Sequence, residues 1–237
     1  QDPLCTVGET LSIFPPGDFI GNLRIERLLC VTQTAISYEC TQGKTRLLVK
    51  VAREGFERVL ESETRCLLES FQNNKLFPTI YTVSKSVPKE ADGNFIRHEA
   101  VKGITRYFTL YRPIEGEFLS DLLLRNPEPS QLLIGWILSG IASTIRQIHL
   151  VTQRVIVTLS PESILLSAPQ KRETGGFPSL SLYDLGLLHP CDTVQEEVHL
   201  KSGGEHLRSI YVAPEAFISD GLITYKADIY SLGVVAM

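Results

Sequence analysis

The sequence lacks several things, and each shortage narrows what the chain can be. Its five cysteines (Cys5, Cys30, Cys40, Cys66 and Cys191) are odd in number, widely scattered and include no C-x-x-C pair. That pattern argues against a disulfide framework or a thiolate zinc site and fits the reduced thiols of a cytoplasmic protein. Charge of one sign is also scarce. With 23 basic and 27 acidic side chains the net charge is −4, which gives no electrostatic reason to expect nucleic acid or an anionic membrane as partner. No apolar run is long enough to span a bilayer. The most apolar one, "LLIGWILSGIASTI" from Leu132 to Ile145, stops at Arg146 and reads as a buried helix. The first residues show no basic segment followed by an apolar one, so no secretory signal is visible. The last scarcity is local: between Asp121 and Asp184 there is no aspartate at all.

What is present is ordinary for a globular protein. The chain has 237 residues, 43% hydrophobic and 21% charged, enough for one large domain or two lobes. Residues 1–20 carry paired prolines and no periodicity, and read as a linker. "NLRIERLL" alternates apolar and polar residues as a half-buried strand does. "TAISYEC" and "TRLLVKVA" extend it into a three-strand meander. "GFERVLESETRCLLESF" has helical periodicity, and within it Cys66 reads as a small buried hydrophobe. "FPTIYTV" and "RYFTLYR" read as strands, separated by the polar surface excursion "SKSVPKEADGNFIRHEAVKG". After "EGE" the pattern becomes helical: "FLSDLLLR", then a long helix from about Ser130, a capping residue, to about Leu150. Short strands follow at "ILLS" and "LSLY", and a last helix starts near Lys226.

Four segments occur in a telling order: "LLVKVA", "YDLG", "YVAPE" and "DIYSLGVV". Together they resemble the eukaryotic-like Ser/Thr protein kinase family, with a lead-in most similar to bacterial members. The resemblance implies an α+β, two-lobed fold: a small antiparallel sheet lobe over 21–112 and a mainly helical lobe over 113–237, the latter incomplete at its C-terminus. It makes Lys50 the lysine that contacts nucleotide phosphates and Glu63 its helix partner, with Glu61 as the rival. It makes Asp184 the Mg²⁺ ligand. Tyr111 becomes the gatekeeper, and Arg112, Pro113 and Ile114 become the hinge. The carbonyl of Arg112 and the N–H of Ile114 would hold adenine, so Pro113 is harmless there. Glu215 and Asp228 would be structural, Asp228 bracing the catalytic loop.

The departures all fall on the chemistry. Where family members have H-R-D-L-x-P-E-N, this chain has "IVTLSPES": Thr158 replaces the catalytic aspartate and Ser163 the metal-binding asparagine. Threonine has no group that titrates near neutrality, and loss of a positioned base typically costs a factor of about 10²–10⁴. Cys30, Thr32 and Ala35 stand at the three glycines of G-x-G-x-x-G, where bare backbone would approach phosphates. Arg208 replaces the threonine expected before A-P-E. The resemblance therefore implies a pseudokinase, a cytoplasmic signalling or regulatory module that binds another protein and holds ATP and Mg²⁺ weakly or not at all. The alternative is an atypical active ATP-dependent kinase, since Lys50, Glu63 and Asp184 persist and phosphoryl transfer rests mainly on positioning and electrostatics.

Overall fold

The structure, a computed structural model, describes residues 13–72, 74–81, 97–101, 104–167, 178–194, 210–217 and 221–237. The N-terminal half is built on strands β1 (Phe19–Ile20), β2 (Leu23–Val31), β3 (Ala35–Gln42) and β4 (Thr45–Ala52), followed by helix α1 (Glu57–Ser70) and strands β5 (Arg97–Val101) and β6 (Ile104–Tyr111). They form one antiparallel sheet in the order β1-β2-β3-β4-β6-β5. The β3–β4 hairpin turns on Gly43 and Lys44, and Gly43 supplies the positive φ of +60° that such a two-residue turn needs.

Both faces of this sheet are covered. On one, Tyr38, Cys40, Val49, Val51 and Leu110 form a buried cluster with Phe14 from the lead-in segment. The Phe14 N–H donates to the Tyr38 hydroxyl at 3.1 Å, and the two rings meet edge to face. The opposite face carries Leu48, Lys50, Thr109 and Tyr111 in two facing pairs, Leu48 with Tyr111 and Lys50 with Thr109. It is closed by α1, whose Thr64 hydroxyl lies 3.0 Å from that of Thr109.

Two expectations from the sequence are corrected here. Among the described residues "FPTIYTV" makes no strand, only an isolated bridge between Ile80 and Tyr111. Pro78 has no N–H to give to a ladder. The surface excursion, conversely, contains β5. That strand is last in the sheet order, and an edge strand needs no apolar alternation, so its polar sequence "RHEAV" conceals it.

The C-terminal half runs through β7 (Glu117–Phe118), α2 (Leu119–Arg125), α3 (Gln131–Thr152), β8 (Arg154–Val155), β9 (Ile164–Leu166), β10 (Leu180–Leu182), β11 (His189–Pro190), β12 (Thr193–Val194), β13 (Leu222–Ile223) and α4 (Lys226–Val235). Ser130 caps α3, its Oγ accepting from the Leu133 N–H at 3.3 Å. The helix ends where Gln153 takes the left-handed conformation. Ile137, Ile141, Ile145 and Ile148 fall on its buried face, whereas Leu132, Leu150 and Val151 are exposed, so the apolar run seen in the sequence is amphipathic rather than buried all round. Among the described residues no helix is long and apolar enough to cross a membrane.

One further feature shapes the site. A single continuous buried cluster begins with Cys30 and Leu48 in the sheet, passes Tyr111, Tyr183 and Leu185, and ends among Leu159, Leu165 and the isoleucines of α3. Apolar packing thus runs across the junction of the two halves.

Candidate functional site between the two lobes

Lys50 lies on β4, the fourth strand because the short β1 precedes the meander, and strand alternation points it at α1. Its Nζ is 2.7 Å from both carboxylate oxygens of Glu63 and 3.4 Å from Oδ1 of Asp184. Glu61, two residues earlier and turned to solvent, pairs instead with Arg65 one helical turn on, at 3.0 Å. Lys50, Glu63 and Asp184 are all buried, with 0%, 1% and 1% of their surface exposed. Two neighbours complete the cluster. The ring of Tyr183 lies 5.6 Å from Nζ and packs edge-on against Phe118, and the Leu185 N–H donates to Glu63 at 3.3 Å.

One cation is here shared by two carboxylates, and the electrostatics follow. Burial disfavours charge on Glu63, and although Lys50 opposes this, Asp184 adds to it, so the Glu63 carboxyl is pushed up to about 7. For Lys50 burial acts to lower the ammonium, but Asp184 and Glu63 together hold it above its ordinary value. Burial, helped by the charge of Asp184, pushes the Cys30 thiol up to about 12, leaving it an inert neutral group. Oδ1 of Asp184 also accepts from the Gly186 N–H at 2.8 Å. Its Oδ2 is buried and has no partner among the described residues.

The segment Ile156–Ser163 wraps beneath this cluster. Asp228, fully buried at the start of α4, accepts from the Ile156 N–H at 3.0 Å and the Val157 N–H at 2.8 Å, and meets Nε2 of His149 at 2.7 Å. Val157 has φ +68°, a conformation that a β-branched residue rarely takes and that costs about 1–3 kcal/mol. Its side chain is fully buried in a cluster with Val59, Leu187, Val212 and Ala227. Ile156 and Leu159 are likewise wholly buried. Thr158 sits against Gly186: a Cβ on that glycine would stand 2.5 Å from the Thr158 hydroxyl and 2.4 Å from the Ile156 carbonyl. Ser163 is buried, with its hydroxyl 3.4 Å from that of Ser160.

At the tip between β2 and β3, Cys30, Thr32 and Ala35 are all buried. The turn closes on itself: the Ala35 N–H donates to Oγ1 of Thr32 at 3.2 Å, and the Thr32 N–H donates to the Ala35 carbonyl at 2.9 Å. Tyr111, fully buried, stands beside Tyr183 with ring centroids 6.3 Å apart. Arg112, Pro113 and Ile114 line a different space, a cavity of about 680 Å³ that Lys50 and Asp184 do not border. Arg208 lies outside the described residues. Sequence reasoning missed Leu48, Tyr183 and His149. Leu48 is two residues from Lys50 and so shares its face of the strand, and Tyr183 directly precedes Asp184. Nothing in the spacing of His149 marks it.

No protein-family model matches the chain, and no curated protein matches it. Solved structures do. The chain is similar to the PknI kinase domain of Mycobacterium tuberculosis, in its C20A_R136A double mutant, with 13% identity and a TM-score of 0.54 over 94% of this chain and 74% of that one. It is also similar to PpkA-294 in its apo form, with 17% identity and a TM-score of 0.59 over 94% of this chain and 76% of that one. At such identities the likeness concerns the backbone. Together with the antiparallel sheet, the helix packed on it and the helical second half, it shows that this chain has the two-lobed α+β fold of a protein kinase domain.

Proposed function

We propose that this chain is a pseudokinase domain, a kinase-like module that works by binding another protein in cytoplasmic signalling rather than by transferring phosphate. One observation carries the reading: the charged groups that would handle a nucleotide are buried and paired with one another. Lys50 is fully buried against Glu63 and Asp184, inside apolar packing that joins the two lobes. The residues lining the cleft argue against ATP. Leu48 and Tyr111 fill the space beneath the sheet, and the Ala35 N–H that could meet a phosphate is taken by Thr32. No carboxylate stands at position 158 to accept a proton from a substrate hydroxyl.

Asp184 supports a second reading. Its Oδ2, buried and without a partner among the described residues, is the kind of atom that a bound Mg²⁺ would satisfy, and an atypical active kinase would use it so. Calorimetric titration with ATP, with and without Mg²⁺, separates the two readings when combined with a phosphotransfer assay of wild type, Thr158→Ala and Asp184→Ala on a generic protein substrate. The expected outcome is no transfer by any of the three and no ATP binding tighter than roughly 100 μM. Mg²⁺-dependent transfer by the wild type that disappears in Asp184→Ala would establish the second reading instead.

A further inference from the structure

The 680 Å³ cavity behind the interlobe segment lies within the size range of small-molecule sites, about 300–1,000 Å³. Its walls come from four parts of the chain: residues 75–79, residues 112–115, α3, and the ends of β9 and β10. The floor is apolar, formed by Leu76, Phe77 and Leu180. Trp136, the only tryptophan in the chain, contributes an indole to the wall, a surface on which a flat ring stacks well. One turn along α3, Gly140 keeps the space open, because any side chain there would begin 3.3 Å from Leu180.

The polar lining includes charge: among the described residues Lys75, Arg112 and Glu115 border the cavity. Arg112 is anchored through its backbone, the N–H donating to the Thr79 carbonyl at 2.9 Å. Its guanidinium is exposed and makes no ion pair with a described residue. The hydroxyls of Ser143, Ser167 and Ser179 stand around the same space. A bare inorganic anion would leave the apolar floor uncovered, and an uncharged hydrocarbon would leave Arg112 unanswered.

We propose that this cavity is a binding site for a small organic anion carrying a flat ring, with the ring on Trp136 and the acid group on Arg112. The site is separate from the charge cluster of Lys50 and stands whether or not the cleft binds nucleotide. An occupant touches the interlobe segment, α3 and the β9–β10 hairpin at once, so binding ties the junction of the two lobes to the helical half.

The test uses 8-anilinonaphthalene-1-sulfonate, an aromatic sulfonate, with its uncharged relative N-phenyl-1-naphthylamine as the control. The sulfonate should bind saturably with one-to-one stoichiometry and quench the emission of Trp136. Arg112→Glu should weaken it by about tenfold or more, and Ser143→Phe, which places a ring in the mouth of the cavity, should abolish binding. Both residues are exposed, so urea unfolding should leave the variants as stable as the wild type. Binding that neither substitution changes, displacement by ATP, or equally tight binding of the uncharged relative would each overturn the proposal.

Discussion

The charge cluster of Lys50, Glu63 and Asp184 and the segment Ile156–Ser163 both depend on buried carboxylates, but on different partners for them. In the cluster, two carboxylates meet one ammonium, and Lys50 is the member whose removal leaves buried charge without a partner. In the segment, the carboxylate of Asp228 meets backbone N–H groups. The path there is held through the backbone, with Ile156, Val157 and Leu159 buried beside it. Lys50, Glu63 and Asp184 are thus held by one another through their side chains, whereas the segment, including the strained Val157, is held by its backbone.

The comparison can be broken most severely at Asp228. Asp228→Ala strands two buried N–H groups, each at a cost of about 1–3 kcal/mol, and releases the hold on Val157. Urea unfolding should show a loss of about 4 kcal/mol or more, while Thr158→Ala, a change inside the same segment, should stay within about 1 kcal/mol of wild type. A Thr158→Ala loss as large as that of Asp228→Ala would mean that the segment depends on its own side chains after all.

A smaller effect is expected at Lys50. Lys50→Met leaves two buried carboxylates without their cation, and breaking a buried pair costs about 3–5 kcal/mol. Protonation of the stranded acids brings the expected loss to the low end of that range. Adding Glu63→Leu to Lys50→Met should recover much of it, as apolar replacements of buried pairs do. If the double variant is no more stable than the single one, the cluster is not held together by mutual neutralisation.

The smallest effect over any one pH unit belongs to Glu63. Its pKa is about 7 in the folded chain against an ordinary 4.5, so the folded state binds the proton more tightly than the unfolded one. The stability from this group is therefore fully present below pH 4.5 and is lost as pH rises through 7, at no more than about 1.4 kcal/mol per pH unit. Glu63→Gln should flatten stability measured by denaturation across that window. A slope that persists unchanged in Glu63→Gln would assign it to another group.

The sheet, α1 and α3 were legible because their patterns are local. Alternation through "TRLLVKVA" places Leu48 and Lys50 on one face, whereas resemblance alone puts Glu63 ahead of its rival Glu61. The strand at 97–101 was not legible, because an edge strand carries no apolar signature. The "FPTIYTV" reading failed because a proline breaks the ladder without breaking the hydrophobic pattern. At the site, the positions of Thr158 and Ser163 could be read by resemblance alone. The sequence pointed to side chains at Cys30 and Tyr111 in the cleft, but not to Leu48 and Tyr183, which join them in one buried cluster only in the folded structure.

The apolar packing through the junction has a dynamic consequence. Lobes divided by a wet cleft can rock about the segment that joins them, because opening exposes only surfaces that already prefer water. Here the same motion would expose Leu48, Tyr111 and Tyr183, and each large apolar side chain brought into water opposes it by about 1.5–3 kcal/mol. The two halves should therefore move as one rigid body. A partner that grips both at once meets a surface of constant shape, with no opening and closing to wait for.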